Sequence, residues 1–233
     1  MPDFTQRSEK PEMMDSPVPE NLLFRNLAEL DILNRHFGGH SASIRGIQKL
    51  VKPDGKVYHV VDLGCGSGDS MKQIALWCRK ANIKIKLTGV DVSGDAIRYA
   101  KLQCSGFPEI TPIVADYREL KKYRFTADIF HSSLFCHHLP DFELREMLEY
   151  FKLCATTGFV INDVMRNRVG YYASGILTKL GRATSLARND GPLSVLKGLT
   201  KMEWISMLNE TGVRYELSGI WLYRILITAY VGR

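Results

Sequence analysis

"VVDLGCGSGDS", residues 60–70, decides the fold. It begins as an apolar strand, sets Asp62 near the strand's end, and then spends three glycines in five positions, Gly64, Gly66 and Gly68. Glycine accepts positive φ and lets backbone approach a ligand closely, and a following helix offers unpaired N–H groups. Strand, bare turn and helix in that order are the parts of a nucleotide-type cofactor loop. A dinucleotide fingerprint would need its third glycine at position 69, where this chain has Asp69. A carboxylate at that helix start also sits badly against a pyrophosphate.

Outward from the turn, short apolar runs alternate with amphipathic ones. "VYHVVDLG", "IKLTGVDV", "ITPIVAD", "ADIFHSSL" and "GFVINDV" read as strands, with helical patterns such as "SMKQIALWCRKA" and "DFELREMLEYFKLCA" among them. That alternation predicts an α/β fold, a doubly wound and mostly parallel sheet covered on both faces. After the helix "KMEWISMLNETG" come two strand patterns, "VRYELSGI" and "YRILITAYVG", without a helix between them. Such neighbours pair as a hairpin, so an antiparallel strand is expected to end a seven-stranded sheet. Ahead of the core, residues 21–52 carry helical spacing (Leu22, Leu23, Leu27, Leu30, Leu33) and a Gly38-Gly39 break. Residues 1–20 are polar, hold four prolines and are expected to be a flexible lead-in. The domain plan is therefore a lead-in, an N-terminal helical segment, and a core over 53–233 with a helical lid inserted at 165–199.

Composition sets outer limits. At 233 residues, 45% hydrophobic and 24% charged, the chain suits one domain with additions. No run approaches eighteen apolar residues and the N-terminus lacks a signal-peptide core, so cytoplasm is the expected compartment. Five cysteines, odd in number and without a C-x-x-C pair, predict free buried thiols instead of disulfides or a structural zinc. The net charge of +6 is concentrated: Val164–Met202 holds Arg166, Arg168, Lys179, Arg182, Arg188, Lys197 and Lys201 against a single acid, Asp190.

D-x-G-x-G-x-G after the first strand resembles the cofactor loop of class I S-adenosylmethionine (SAM)-dependent methyltransferases. Further signposts fall in order from about Pro53 to Gly232. In that family Asp91, ending the second strand in "GVDVS", would bind the ribose hydroxyls, and Asp116 in "VADYREL" would face the adenine amino group. The resemblance thus implies SAM as cofactor, held by Asp62, Gly64, Cys65, Gly66, Ser67, Gly68, Asp91, Val92, Ala115, Asp116, Tyr117 and Ser132. It implies a Rossmann-like fold with an antiparallel seventh strand. Strand-ending acids are also ordinary helix caps; three at successive strand ends, Asp62, Asp91 and Asp116, favour the ligand reading.

Acceptor-specific motifs narrow the chemistry. The loop after the fourth strand reads Ser132-Ser133-Leu134-Phe135, without the Asn/Asp-Pro-Pro-aromatic motif of base and glutamine methylation. No Pro-Cys pair offers a thiolate for attack on a pyrimidine. "LDILNRHFGG", "CHHLPD" and "RNDGPLSV" resemble bacterial small-molecule methyltransferases associated with polyketide-type and phenolic secondary metabolites. The expected reaction is methyl transfer to oxygen, less readily carbon, of a small aromatic or polyketide-like acceptor. His138 and His137 are the candidate bases, His131 lying nearby. No metal site is predicted; the spacing of His131, Cys136, His137, His138 and Asp141 fits none. Lid residues Tyr171, Tyr172, Ile176, Leu177, Leu180 and Leu186, among basic neighbours, suit a hydrophobic, anionic or carrier-bound acceptor. No nucleic-acid partner is expected, and contact with an anionic membrane is an open alternative. Two rival functions remain: an NAD-dependent oxidoreductase and a non-enzymatic SAM-binding module.

Overall fold

The computed structural model describes residues 2–181, 183–221 and 223–232. Arg182 of the basic cluster and Leu222 of the expected hairpin link lie outside the described residues. The strands are β1 (Val57–Leu63), β2 (Lys84–Asp91), β3 (Ile110–Val114), β4 (Ala127–Ser133), β5 (Ala155–Val164), β6 (Arg214–Ile220) and β7 (Arg224–Tyr230). They form one seven-stranded sheet in the order β3-β2-β1-β4-β5-β7-β6. β1 to β5 pair in parallel, and β7 runs antiparallel to both neighbours.

Both sheet faces are covered. Val61, Phe130, Phe159 and Ile227 pack on one side with α6 (Asp141–Cys154) and α9 (Lys201–Thr211), around the fully buried Phe151 and Trp204. Their strand neighbours Val60, Ile129, Val160 and Leu226 face the other way, onto Ile47 of α2 (Gly39–Gln48), Ile74 of α3 (Asp69–Lys80) and Ile97 of α4 (Gly94–Gln103). The period of two thus puts apolar groups on both faces, which is why these strands read as continuous apolar runs.

The expected antiparallel terminal strand is β7, last in the chain, and it lies one place in from the sheet's rim. "RILITAY" is buried along nearly its whole length, whereas "RYELSGI" has no buried position and alternates exposed with half-buried. The continuously apolar segment takes the inner place between β5 and β6, and the alternating one takes the rim.

α1 (Glu20–His36) and α2 precede the core. The stretch between β5 and α9 folds as α7 (Arg168–Leu180) and α8 (Ser185–Lys197), packed on each other. Residues 2–19, expected to be flexible, are laid across the molecule as a strap. Ser8 N–H donates to Leu196 O at 3.1 Å and Arg166 Nε to Phe4 O at 3.1 Å. Buried Asp190 on α8 accepts the backbone N–H groups of Met13 and Met14 at 2.8 and 3.1 Å. The one acid of the basic stretch is therefore spent on this strap. All five cysteines are free and buried. No helix among the described residues is long and apolar enough to cross a membrane.

Candidate active site

The strand order reverses at β1, which pairs with β2 on one side and β4 on the other. Ligands of open α/β sheets bind in the crevice at such a switch point, outside the carboxyl ends of the strands. Here that crevice holds a cavity of about 570 Å³ and, sharing its wall at Gly64, Gly66, Asp91, Phe135 and His138, a smaller one of about 130 Å³.

The glycine turn builds the floor. Gly64, Gly66 and Gly68 have φ of 68°, 50° and 73°, the left-handed region that side chains avoid. At Gly64 a Cβ would also meet the Phe135 ring at 2.4 Å. Gly64 and Cys65 donate their N–H groups to Val90 O at 2.9 and 3.1 Å, tying the turn to β2. Burial pushes the Cys65 thiol well up, so it stays protonated and acts as a small packing residue.

Asp91 lines both cavities, its oxygens accepting N–H from Gly66 at 3.0 Å and Ser93 at 2.9 Å. Burial raises its pKa against these hydrogen bonds. A carboxylate fixed by backbone donors and facing the cavity suits a ligand that brings hydroxyl donors. Val92, Ala115, Asp116 and Tyr117 line the larger cavity beside it. Asp116 caps the short helix α5 (Tyr117–Lys122), and its oxygens accept from Arg118 N–H and Arg118 Nη1 at 2.8 and 2.9 Å. Tyr117 sends its hydroxyl to Glu143 at 2.7 Å and sets its ring edge-on to Phe135. Asp62, Cys65 and Ser67 line the smaller cavity; Gly68 lines neither and instead caps α3.

Ser132 departs from expectation. It is fully buried with its hydroxyl 3.6 Å from Cys136 Sγ, and lines neither cavity. Alternation along β4 turns the next residue, Ser133, toward the smaller cavity.

The three histidines separate sharply. His131 is a core residue: Nδ1 meets Asp62 at 2.7 Å and Nε2 meets Ser43 at 2.8 Å, with no exposure. His137 is held by Asp163 at 2.6 Å on Nδ1 and lies 3.5 Å from Glu12 on Nε2, again away from both cavities. Burial alone would depress its pKa, but the charges and hydrogen bonds of Asp163 and Glu12 overcome that and raise it to about 9. A histidine kept charged and enclosed is no base for a ligand in the crevice. His138 remains: it lines both cavities, and Asp15 of the strap lies 3.1 Å from its Nδ1.

Glu12, His137 and His138 converge closely enough to suggest a metal. The Lys197 ammonium already stands 3.8 Å from Glu12 and 3.4 Å from Asp15, so the cluster has its own cation.

Sequence reasoning missed the strap's part in the site. Met14, Asp15, Ser16, Pro17 and Val18 wall the larger cavity, and Leu27 of α1 reaches both. Only the position of "MMDSPVP" directly before a helix hinted at it. The expected lid lining is also corrected. Tyr172, Ile176 and Leu180 point outward, Leu186 is in the core, and none of the six lid residues lines either cavity.

Residues 60–158 match the methyltransferase domain family. No curated protein matches the chain in sequence. Among solved structures, a SAM-dependent methyltransferase from Aquifex aeolicus superposes with a TM-score of 0.62 at 16% identity, covering 92% of this chain and 100% of that one. The plantazolicin methyltransferase in complex with S-adenosylhomocysteine gives 0.64 at 15%, covering 92% and 95%. Human N-acetylserotonin methyltransferase gives 0.64 at 17%, covering 92% of this chain and 57% of that one. At these identities the likeness is one of fold, and the domain match covers the strands and turn that build the crevice. The glycine turn and the strand ends that floor the crevice fall within the matched residues: over 60–158 the chain is similar to a methyltransferase domain, on the fold of the SAM-dependent methyltransferases it superposes on.

Proposed function

We propose that the chain is a SAM-dependent methyltransferase that delivers the methyl group to an oxygen, less readily a carbon, of a small aromatic or polyketide-like acceptor, with His138 as the base. The carrying observation is that His138, unlike His131 and His137, stands on the wall shared by the two cavities. SAM supplies an activated methyl on a sulfonium, so the protein's task is alignment and proton removal. Asp91 would hold the ribose diol, and the 64–68 turn would admit the cofactor backbone. Val92, Ala115 and Tyr117 would border the adenine, with Asp116 at its edge. The apolar wall formed by Met14, Leu27, Leu30 and Phe135 around the smaller cavity supports a hydrophobic acceptor. Among the solved relatives, a citrinin polyketide synthase methyltransferase domain shares the fold.

Incubation with methyl-labelled SAM and a panel of phenols and aromatic polyketides tests this reading, the methylated atom being read by carbon NMR. Labelled methyl ethers are the expected product; label confined to nitrogen would overturn it. The cofactor assignment has a separate check. Asp91→Ala should weaken SAM binding about 10- to 100-fold in calorimetric titration, the loss of hydrogen bonds to a charged acceptor. Wild-type affinity in that variant removes the ribose assignment.

A further inference from the structure

Helix α7 is built inside out. A surface helix of a globular domain normally turns its apolar stripe to the core. Here the inward residues are Gly170, Ser174 and Thr178, all buried. The two hydroxyls bond back along the helix, Ser174 to Tyr171 O and Thr178 to Ser174 O, both at 2.9 Å. The inner face is bare because neighbours come close: a Cβ on Gly170 would meet Tyr223 at 2.3 Å. The apolar residues face solvent instead. Val169, Tyr172, Ile176 and Leu180 are 62%, 57%, 55% and 78% exposed. Spacings of three, four and four put them in one line along the helix, about 16 Å long. A single exposed aliphatic needs no explanation, but four in a row form a surface.

Within Val164–Met202 the exposed charge beside this line has one sign. On a helical projection Arg168 and Lys179 fall along one edge of it, and Arg188 is exposed on the adjoining α8. Among the described residues none of these three cations has an ion-pair partner; Arg168 rests only over the Phe4 ring. The sole acid from Val164 to Met202 is Asp190, which is buried and spent on the strap. A second copy of this chain meeting the same face would bring like charges together. A convex apolar ridge beside unpaired cations fits an interface with negative headgroups above acyl chains, which needs no matching groove.

We propose that α7 is a membrane-surface helix, seating Val169, Tyr172, Ile176 and Leu180 at the acyl boundary of an anionic leaflet while Arg168, Lys179 and Arg188 meet its headgroups. Binding to lipid is independent of turnover, so it is tested apart from the proposed reaction.

The experiment is co-sedimentation of the full chain with phosphatidylcholine vesicles, with and without phosphatidylglycerol. Partition onto the anionic vesicles only, weakening as salt rises, is the expected result. Ile176→Asp with Leu180→Asp should abolish it. Lys179→Glu and Arg188→Glu should each lower it about fivefold or more. Because these positions are exposed, the variants should keep the wild-type melting curve and SAM affinity. No partition onto anionic vesicles overturns the proposal, as does partition that the double aspartate variant leaves unchanged. Self-association that the same variant dissolves, without vesicle binding, assigns the ridge to a second copy and likewise overturns it.

Discussion

Asp163→Ala is expected to lower the unfolding free energy by about 3–5 kcal/mol, the cost of leaving one member of a buried ion pair behind. Asp163 is 1% exposed. Its carboxylate takes His137 Nδ1 at 2.6 Å and the backbone N–H groups of His137 and Val164 at 3.1 and 2.6 Å. Burial would raise its pKa, but the His137 charge and these donors hold it below the usual carboxylate range. Without it, the enclosed imidazolium would keep only Glu12 as a close counter-charge. Asp163→Asn, which keeps an acceptor and loses the charge, should fall between variant and wild type.

The same pair predicts a pH profile. His137 has a folded pKa raised to about 9. Its contribution is complete below its unfolded value near 6.5 and is lost as pH rises through about 9. Asp163 and Glu12 are both shifted down by the facing cations, burial opposing. Their contributions are present above about 4 and are lost as pH falls through their lowered folded values. Wild-type stability should therefore decline on the alkaline side between about pH 6.5 and 9, and Asp163→Ala should be flatter there. Urea unfolding across that range decides it. An equal decline in both proteins would mean the pair does not titrate as argued.

Local chemistry was legible in the sequence where one residue type alone could satisfy the backbone or the ligand. Gly64, Gly66 and Gly68 announced a turn of positive φ, and Asp91 at the end of β2 announced an acceptor facing the crevice. The parallel core was legible because apolar runs of strand length between amphipathic helices admit few other arrangements. What escaped were contacts between distant segments. "MPDFTQRSEKPEMMDSPVPE" looks disordered by composition, yet Asp190, some 176 residues away, caps the Met13–Met14 turn and pins it. Which of two adjacent histidines would be enclosed depended on Asp163 of β5, not on anything within "CHHLPD". Which of Ser132 and Ser133 lines the cavity was not legible, because alternation on a strand leaves its phase to packing. α7 misled in the opposite sense: its apolar residues have helical spacing, which normally points to the core, and only the small size of Gly170, Ser174 and Thr178 shows that the other face is inside.

His138→Ala is expected to slow methyl transfer about 10²- to 10⁴-fold, the usual worth of a positioned base, while SAM affinity stays at the wild-type level. The side chain stands where the two cavities meet, half-buried, with Nδ1 3.1 Å from Asp15 and Nε2 3.8 Å from Glu12. Those carboxylates come from the strap and not from the sheet, so the imidazole is oriented by a segment whose docking Asp190 secures. Asp15→Asn should therefore cost less than His138→Ala and act mainly on turnover, since Asp15 would orient the imidazole without touching the reacting oxygen. Single-turnover rates with a phenolic acceptor, measured across pH, separate the roles. Exogenous imidazole should restore part of the rate that the alanine variant loses. An acceptor that arrives already ionised needs no base, and its rate would be the same in variant and wild type. If every acceptor in the panel behaves that way, His138 is only part of the cavity wall, and alignment alone carries the reaction.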